Sequence, residues 1–228
     1  MAKTTQSNPS AQPRARLNRD RVLQAAVTLA DEGGTEALTM RKLGHALGVE
    51  AMSLYNHVAS KDDVLDGLID IVFSEIHLDC EGRDWKTAMR RRAISAREAL
   101  QRHRWAIGLM ESRTHPGPAN LRHHDAVLGC LREAGFSIVM AAHAYSALDS
   151  YIYGFAMSQA NLPLDTGDKG VQMVEMFLRQ FPADVFPHLA EIATQLVMKP
   201  GYDYANEFEF GLDLILDGLE RLAAARPS

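Results

Sequence analysis

From Asn18 to Ala225 the apolar residues recur every third or fourth position, and apolar and polar residues do not alternate over any useful length. A repeat near 3.6 lays one apolar stripe along a helix, whereas a strand needs a repeat of two, so the pattern predicts an all-α fold. Punctuation places the helices. Asn18 caps a first helix carrying Val22, Ala25, Ala26 and Leu29, which Gly33-Gly34 ends; Thr39 caps a second with Met40, Leu43 and Leu47, closed by Gly48. A third starts near Glu50. Ser60, followed by Asp62 and Asp63 in a first turn favourable to acids, opens a fourth that runs to about Leu78. The same reading gives helices from Asp84 to His103, Arg104 to Ser112, Asn120 to Ala134, Ser137 to Asn161, Val171 to Gln180, Phe186 to Met198 and Tyr204 to Ala225. The Pro-broken residues 1–16 read as a disordered tail, and Leu162–Gly170 as a loop. No internal repeat is found.

Composition excludes several classes. The chain has 228 residues, 46% hydrophobic and 23% charged, which is ordinary for a globular protein, and no apolar run approaches the roughly 20 residues of a bilayer span. No apolar segment follows the basic and polar N-terminus, so it does not read as a signal peptide. Two cysteines, Cys80 and Cys130, form neither a disulfide framework nor a paired metal motif, and a reducing cytoplasm is expected. The net charge of −5 is unevenly spread: residues 1–61 sum to +3 and residues 62–228 to −8. A basic head on an acidic body is the pattern expected if only the head meets phosphates.

Residues 38–66, LTMRKLGHALGVEAMSLYNHVASKDDVLD, hold two short helices joined at Leu47-Gly48-Val49. Gly48 suits the positive φ of such a corner, and Met40, Leu43, Leu47, Val49 and Leu54 would pack the pair onto the first helix. The other face of the second short helix, with Ala51, Met52, Ser53, Tyr55, Asn56 and His57, is left free to enter a major groove. Thr39, Arg41, Lys42 and Lys61 supply hydroxyl and cationic donors for phosphates around it. Tyr55 as a core aromatic and Arg41-Lys42 as a solvated surface pair are the plainer alternatives. Arg90-Arg91-Arg92, the densest basic run, reads as a solvated face of a body helix.

This stretch, together with LNRDRVLQAAVTLADEGG upstream, resembles the tetracycline-repressor family of regulators, closely over residues 17–79 and more loosely to the C-terminus, including Gly135-Phe136-Ser137. The resemblance implies a homodimer with a three-helix DNA-binding head over residues 17–62 and a larger helical body over residues 63–228. The body would bind a small-molecule effector and dimerise. By position, Thr39, Arg41, Ser53, Tyr55, His57 and Lys61 match family DNA contacts. Ala51 and Met52 stand where the tetracycline repressors have Gln-Pro, and Asn56 where they have Trp, so a different operator is implied. His77 falls where those repressors place a ligand-contacting His. Their metal-binding His has no match in MESRTHP, residues 110–116, where Glu111 and His115 are the available substitutes.

Candidate pocket residues in the body are Phe73, Ile76, His77, Trp105, Leu109, Met110, His124, Leu128, Tyr145, Ser146 and Asp149, a largely apolar set with few polar groups, though each also suits a core position. Segments 137–161 and 204–225 are apolar over more surface than one monomer side needs, so they are the expected dimer interface. The reading is therefore a non-enzymatic regulator of double-stranded operator DNA. It responds to a small organic effector, with no cofactor, protein metal site or membrane assigned, and tetracycline with magnesium is the minority alternative for that effector. A rival reading is a small helical metal-dependent enzyme using Glu111, His115, His123, His124 and His143. Adjacent His123 and His124 point about 100° apart, unlike the i, i+4 pair of a zinc-binding helix. A nucleoid-type DNA binder would leave the acidic body without a purpose.

Overall fold

The computed structural model describes residues 16–81, 84–113, 115–161, 168–180 and 183–225, and every regular element among them is helical. The expected tail over residues 1–16 lies, apart from Arg16, outside them. In order the helices are α1 (Arg19–Ala37), α2 (Met40–Leu47), α3 (Ala51–Leu54), α4 (Lys61–Ser74), α5 (Trp85–Arg102), α6 (Ala106–Ser112), α7 (Pro118–Glu133), α8 (Ile138–Asn161), α9 (Asp168–Gln180), α10 (Pro187–Ile192) and α11 (Asn206–Ala225). Their N-termini follow the sequence closely because the caps are local hydrogen bonds. The side chains of Asn18, Thr39, Ser60 and Asp84 accept the backbone N–H groups of Arg21, Lys42, Asp63 and Thr87. Ser137 accepts that of Met140.

Four expectations are corrected. The fourth helix stops at Ser74 rather than Leu78. Ser74 Oγ turns back to the Ile71 carbonyl (2.6 Å), and the His77 N–H is taken by Ser95 Oγ of α5 (3.0 Å), so tertiary partners replace the next helical turn. The helix expected over Phe186–Met198 is α-helical only to Ile192 and winds into a π-helical turn over Ala193–Val197. Asp168–Gly170 belong to α9, not to a loop, and residues 162–167 lie outside the described set. Cys80 and Cys130 are joined as a disulfide, which ties the segment after α4 to α7.

Two apolar cores meet along α4. One gathers Val22, Leu23, Ala26, Val27 and Ala30 of α1 with Leu38, Leu43, Leu54 and Val58, and reaches Val64, Leu65 and Leu68 of α4. The other begins one residue later, at Ile69, Val72 and Phe73, and takes in the inward faces of α5, α7, α8 and α11. Within it α4 packs on α7, α5 on α8, and α11 on both α5 and α8. A single rigid helix therefore belongs to head and body together, which decides how one is coupled to the other. Among the described residues no helix is long and apolar enough to cross a membrane.

Candidate nucleic-acid interface and effector site

The head is built around a tight corner. Gly48 takes φ +67° and ψ 35°, a left-handed conformation open to glycine without penalty. The Val49 N–H then reaches back to the Gly44 carbonyl at 2.9 Å. Gly44 faces that turn so closely that a Cβ there would lie 2.8 Å from the Val49 carbonyl oxygen. With Leu43 and Leu54 each fully buried, α3 is clamped onto α1 and α2 from inside.

Its outer side is free. Met52 is 75% exposed and Tyr55 45%, so Tyr55 is not a core aromatic. Thr39, Arg41, Lys42, Asn56 and Lys61 are exposed, and Ala51, Ser53 and His57 are half-buried at the rim of the same surface. Among the described residues neither Arg41, Lys42 nor Lys61 has an ion-pair partner. Arg19 does: its guanidinium grips both Asp63 oxygens at 2.6 and 2.8 Å, pinning α1 to the first turn of α4. That bond holds the Asp63 carboxyl below the usual carboxylate range.

Polar groups stitch head to body. Asp31 of α1 accepts from Trp105 Nε1 at 2.6 Å and lies 2.7 Å from His103 Nδ1, whose Nε2 faces Glu75 at 3.2 Å. Arg113, beyond α6, donates to Asp66 (2.6 Å) and Asp62 (3.0 Å) in the first turns of α4.

Deeper in the body, α4, α5, α7 and α8 converge on a polar cluster. Arg92 is 1% exposed; its Nε donates to His123 Nε2 at 3.0 Å and its Nη2 to Asp149 Oδ1 at 2.6 Å. Because His123 Nε2 accepts, the ring is neutral with its proton on Nδ1. Burial, helped by the Arg92 charge, depresses the His123 pKa to about 3, and burial also lowers that of His124. Tyr145 Oη is hydrogen-bonded to His124 Nδ1, and burial raises its pKa. Phe73 tilts against the rings of His123 and His124, 5.7 and 5.4 Å between centroids.

The expected pocket residues thus divide. Phe73, His124, Tyr145 and Asp149 come together, and Ile76, Leu109 and Met110 join the same core. His77, Leu128 and Ser146 are exposed, and Trp105 stands at the junction with the head. Arg92 was expected on a solvated face and is instead buried. The readable signal was its register, since it falls four residues from both Ala88 and Ala96 on the small-residue stripe of α5. Arg90 forms ion pairs with Glu209 and Asp213 of α11. His123 and His124 face Arg92 and Tyr145, His143 is exposed on α8, and no group of three or more His, Cys, Asp or Glu is placed to hold a metal ion among the described residues.

Known proteins share this arrangement. Residues 22–68 match the family model described as bacterial regulatory proteins, tetR family, and residues 79–223 match the tetracyclin repressor-like C-terminal domain. The HTH-type transcriptional repressor DrrR1 of Streptomyces coeruleorubidus is 32% identical over 231 residues, covering 97% of this chain and 84% of that protein. The class C tetracycline repressor of Escherichia coli is 30% identical over 210 residues, 91% of this chain and 92% of its own length. The crystal structure of ActR of Streptomyces coelicolor in complex with actinorhodin superposes with a TM-score of 0.74 at 28% identity, covering 92% of this chain and 99% of that one. With both halves of the chain matched in order and the corner, head and helical body in place, the chain belongs to the TetR family of DNA-binding transcriptional regulators.

Proposed function

We propose that the chain is a non-enzymatic, cytoplasmic repressor that holds a palindromic operator with two heads and releases it when a small organic effector enters the body. The observation that carries the DNA assignment is the α2–α3 edge, where ten residues (Thr39, Arg41, Lys42, Ala51, Met52, Ser53, Tyr55, Asn56, His57 and Lys61) are all exposed or half-buried and the cations Arg41, Lys42 and Lys61 have no ion-pair partner among the described residues. In this reading residues 17–62 are the head and 63–228 the body, with α4 serving both. Arg41, Lys42 and Lys61 hold phosphates, Tyr55 lies along the backbone, and Ala51, Met52 and Asn56 meet base edges.

The second copy docks through α8 and α11. Ile138, Val139 and Met157 of α8 and Phe210, Leu214 and Leu222 of α11 are exposed on this subunit, and two helices from each of two copies make a four-helix interface. Paired heads on one DNA face read half-sites about one helical turn apart.

Release follows from α4. An effector seated among Phe73, His124, Tyr145 and Asp149 displaces Phe73, and α4 carries that movement to the head, where Arg19 and Arg113 hold its first turns. By linkage the effector binds the free dimer more tightly than the DNA-bound dimer, by the same factor as it weakens the operator, typically about 1–3 kcal/mol. The ligand-bound states of relatives support a small organic effector.

The test is binding to operator DNA selected from genomic fragments, titrated with salt. Lys61→Ala removes one phosphate contact per head, so the slope of log K against log salt should flatten by about two for the dimer, and affinity should fall with it. Tyr55→Ala should weaken binding without lowering the melting temperature. Parental affinity and slope in both variants would overturn the assignment of this face.

A further inference from the structure

We propose that Arg92 is the anchor of the effector site and that the effector is an aromatic oxyanion, a carboxylate or phenolate, whose charged oxygen docks on the free end of this guanidinium. The inference rests on the effector reading above and specifies its chemistry. A guanidinium has five N–H groups in a fixed fork. Arg92 spends one on His123 and one on Asp149, while its Nη1, buried with the rest of the side chain, has no hydrogen-bond partner among the described residues. His123 Nε2 is taken by Arg92 Nε, Asp149 Oδ1 by Arg92 Nη2 and His124 Nδ1 by Tyr145, and no acceptor among the described residues comes within hydrogen-bond reach of Nη1. Buried N–H groups left without acceptors destabilise a fold, so one retained in the middle of a four-helix junction marks a place for an acceptor from outside.

The walls define the rest of the ligand. His124, Tyr145 and Tyr153 lie close enough to feel the guanidinium charge, and Phe73 packs on His123 and His124, so apart from Asp149 the surface beside Arg92 is largely aromatic, which favours a flat aromatic body over a flexible aliphatic one. An oxyanion is preferred to a neutral carbonyl because charge-assisted bonds to a guanidinium are shorter and stronger, and two oxygens match its fork. The added negative charge also has an outlet. His124 is kept neutral by burial and does not accept from Arg92, so it is the ring whose protonation a nearby anion favours. A cationic amine would meet Arg92 head-on.

The experiment uses the full-length protein and a panel of two- and three-ring arene carboxylates, each with its primary amide and its aminomethyl analogue, followed by calorimetry and thermal shift. Carboxylates should bind at least about tenfold more tightly than their amides, and the aminomethyl analogues should not bind. Arg92→Lys keeps the charge but loses the fork and should erase most of that preference. Arg92→Met/Asp149→Leu removes both charges together, so it avoids stranding a buried carboxylate, and should abolish the preference in a folded protein. Amides or amines binding as well as carboxylates, a full preference surviving in either variant, or no panel member binding (a bound water only at Nη1) would overturn the proposal. Operator binding by the unaltered protein, measured alongside, separates the cases: its absence defeats the regulator reading, whereas operator release by ligands indifferent to Arg92 defeats only this one.

Discussion

Replacing Gly44 by Ala adds one methyl group at the place where α2 meets the corner before α3. Its Cβ would lie 2.8 Å from the Val49 carbonyl oxygen, 3.1 Å from Ala51 N and 3.2 Å from Ala51 Cα. All three neighbours are backbone atoms, so no rotamer change relieves the contact, and the corner must open by about half an ångström to reach ordinary van der Waals distance. Overpacking of this kind costs about 1–3 kcal/mol, and the better helix propensity of Ala returns about 1 kcal/mol. The net loss is about 0–2 kcal/mol, or a few degrees of melting temperature for a chain of this size. Operator binding should suffer more. Hydrogen bonds near 2.9 Å lose most of their value when stretched by half an ångström, and α3 carries Met52, Ser53 and the following Tyr55 with it. A loss of about 1 kcal/mol at each of two heads is roughly a 30-fold weaker operator complex. Gly129→Ala is the control. It lies in α7 with nothing within 4 Å of the added Cβ, so it should raise stability by about 0.5–1 kcal/mol and leave operator binding alone. Thermal melts and fluorescence anisotropy on both variants decide it. A Gly44→Ala protein that melts above the parent and binds operator equally well would refute the close approach and the clamping of α3 that follows from it.

Stability should also depend on pH through the buried imidazoles. His123 titrates near 3 when folded and near 6.5 when unfolded, so the unfolded chain binds more protons between those values and stability falls as pH drops through that window, by up to about 1.4 kcal/mol per unit. Urea midpoints from pH 7.5 to 5 should show the decline, and His123→Gln, whose amide oxygen still accepts from Arg92, should flatten it; an identical slope in both proteins would contradict the buried neutral ring. Leu214→Asp on the exposed side of α11 should give folded monomers by sedimentation, whereas Leu216→Asp or Ile152→Asp, at fully or almost fully buried positions, should fail to fold. A dimeric Leu214→Asp protein would move the interface elsewhere.

The sequence by itself determined what local chemistry determines. Helical period, the caps at Asn18, Thr39 and Ser60, the helix starts near Asp84 and Ser137, and the glycine corner at Gly48 all depend on groups within a few residues of one another, and each is found where the pattern places it. The head was legible for the same reason: its two short helices and their exposed face occupy one continuous stretch. Tertiary structure decided the rest. The end of α4 depends on Ser95, which takes the His77 N–H from 18 residues away. The pairing of Cys80 with Cys130 spans 50 residues. Trp105 meets Asp31 across 74, which sets it at the junction of head and body. Arg92 shows the limit most clearly. Its neighbours Arg90 and Arg91 face ion-pair partners and solvent, so composition suggested three surface charges. Only the convergence of α4, α5, α7 and α8 turned one of them inward, because burial is a property of helices packed against each other, and a stripe on one helix does not name the helices that will cover it.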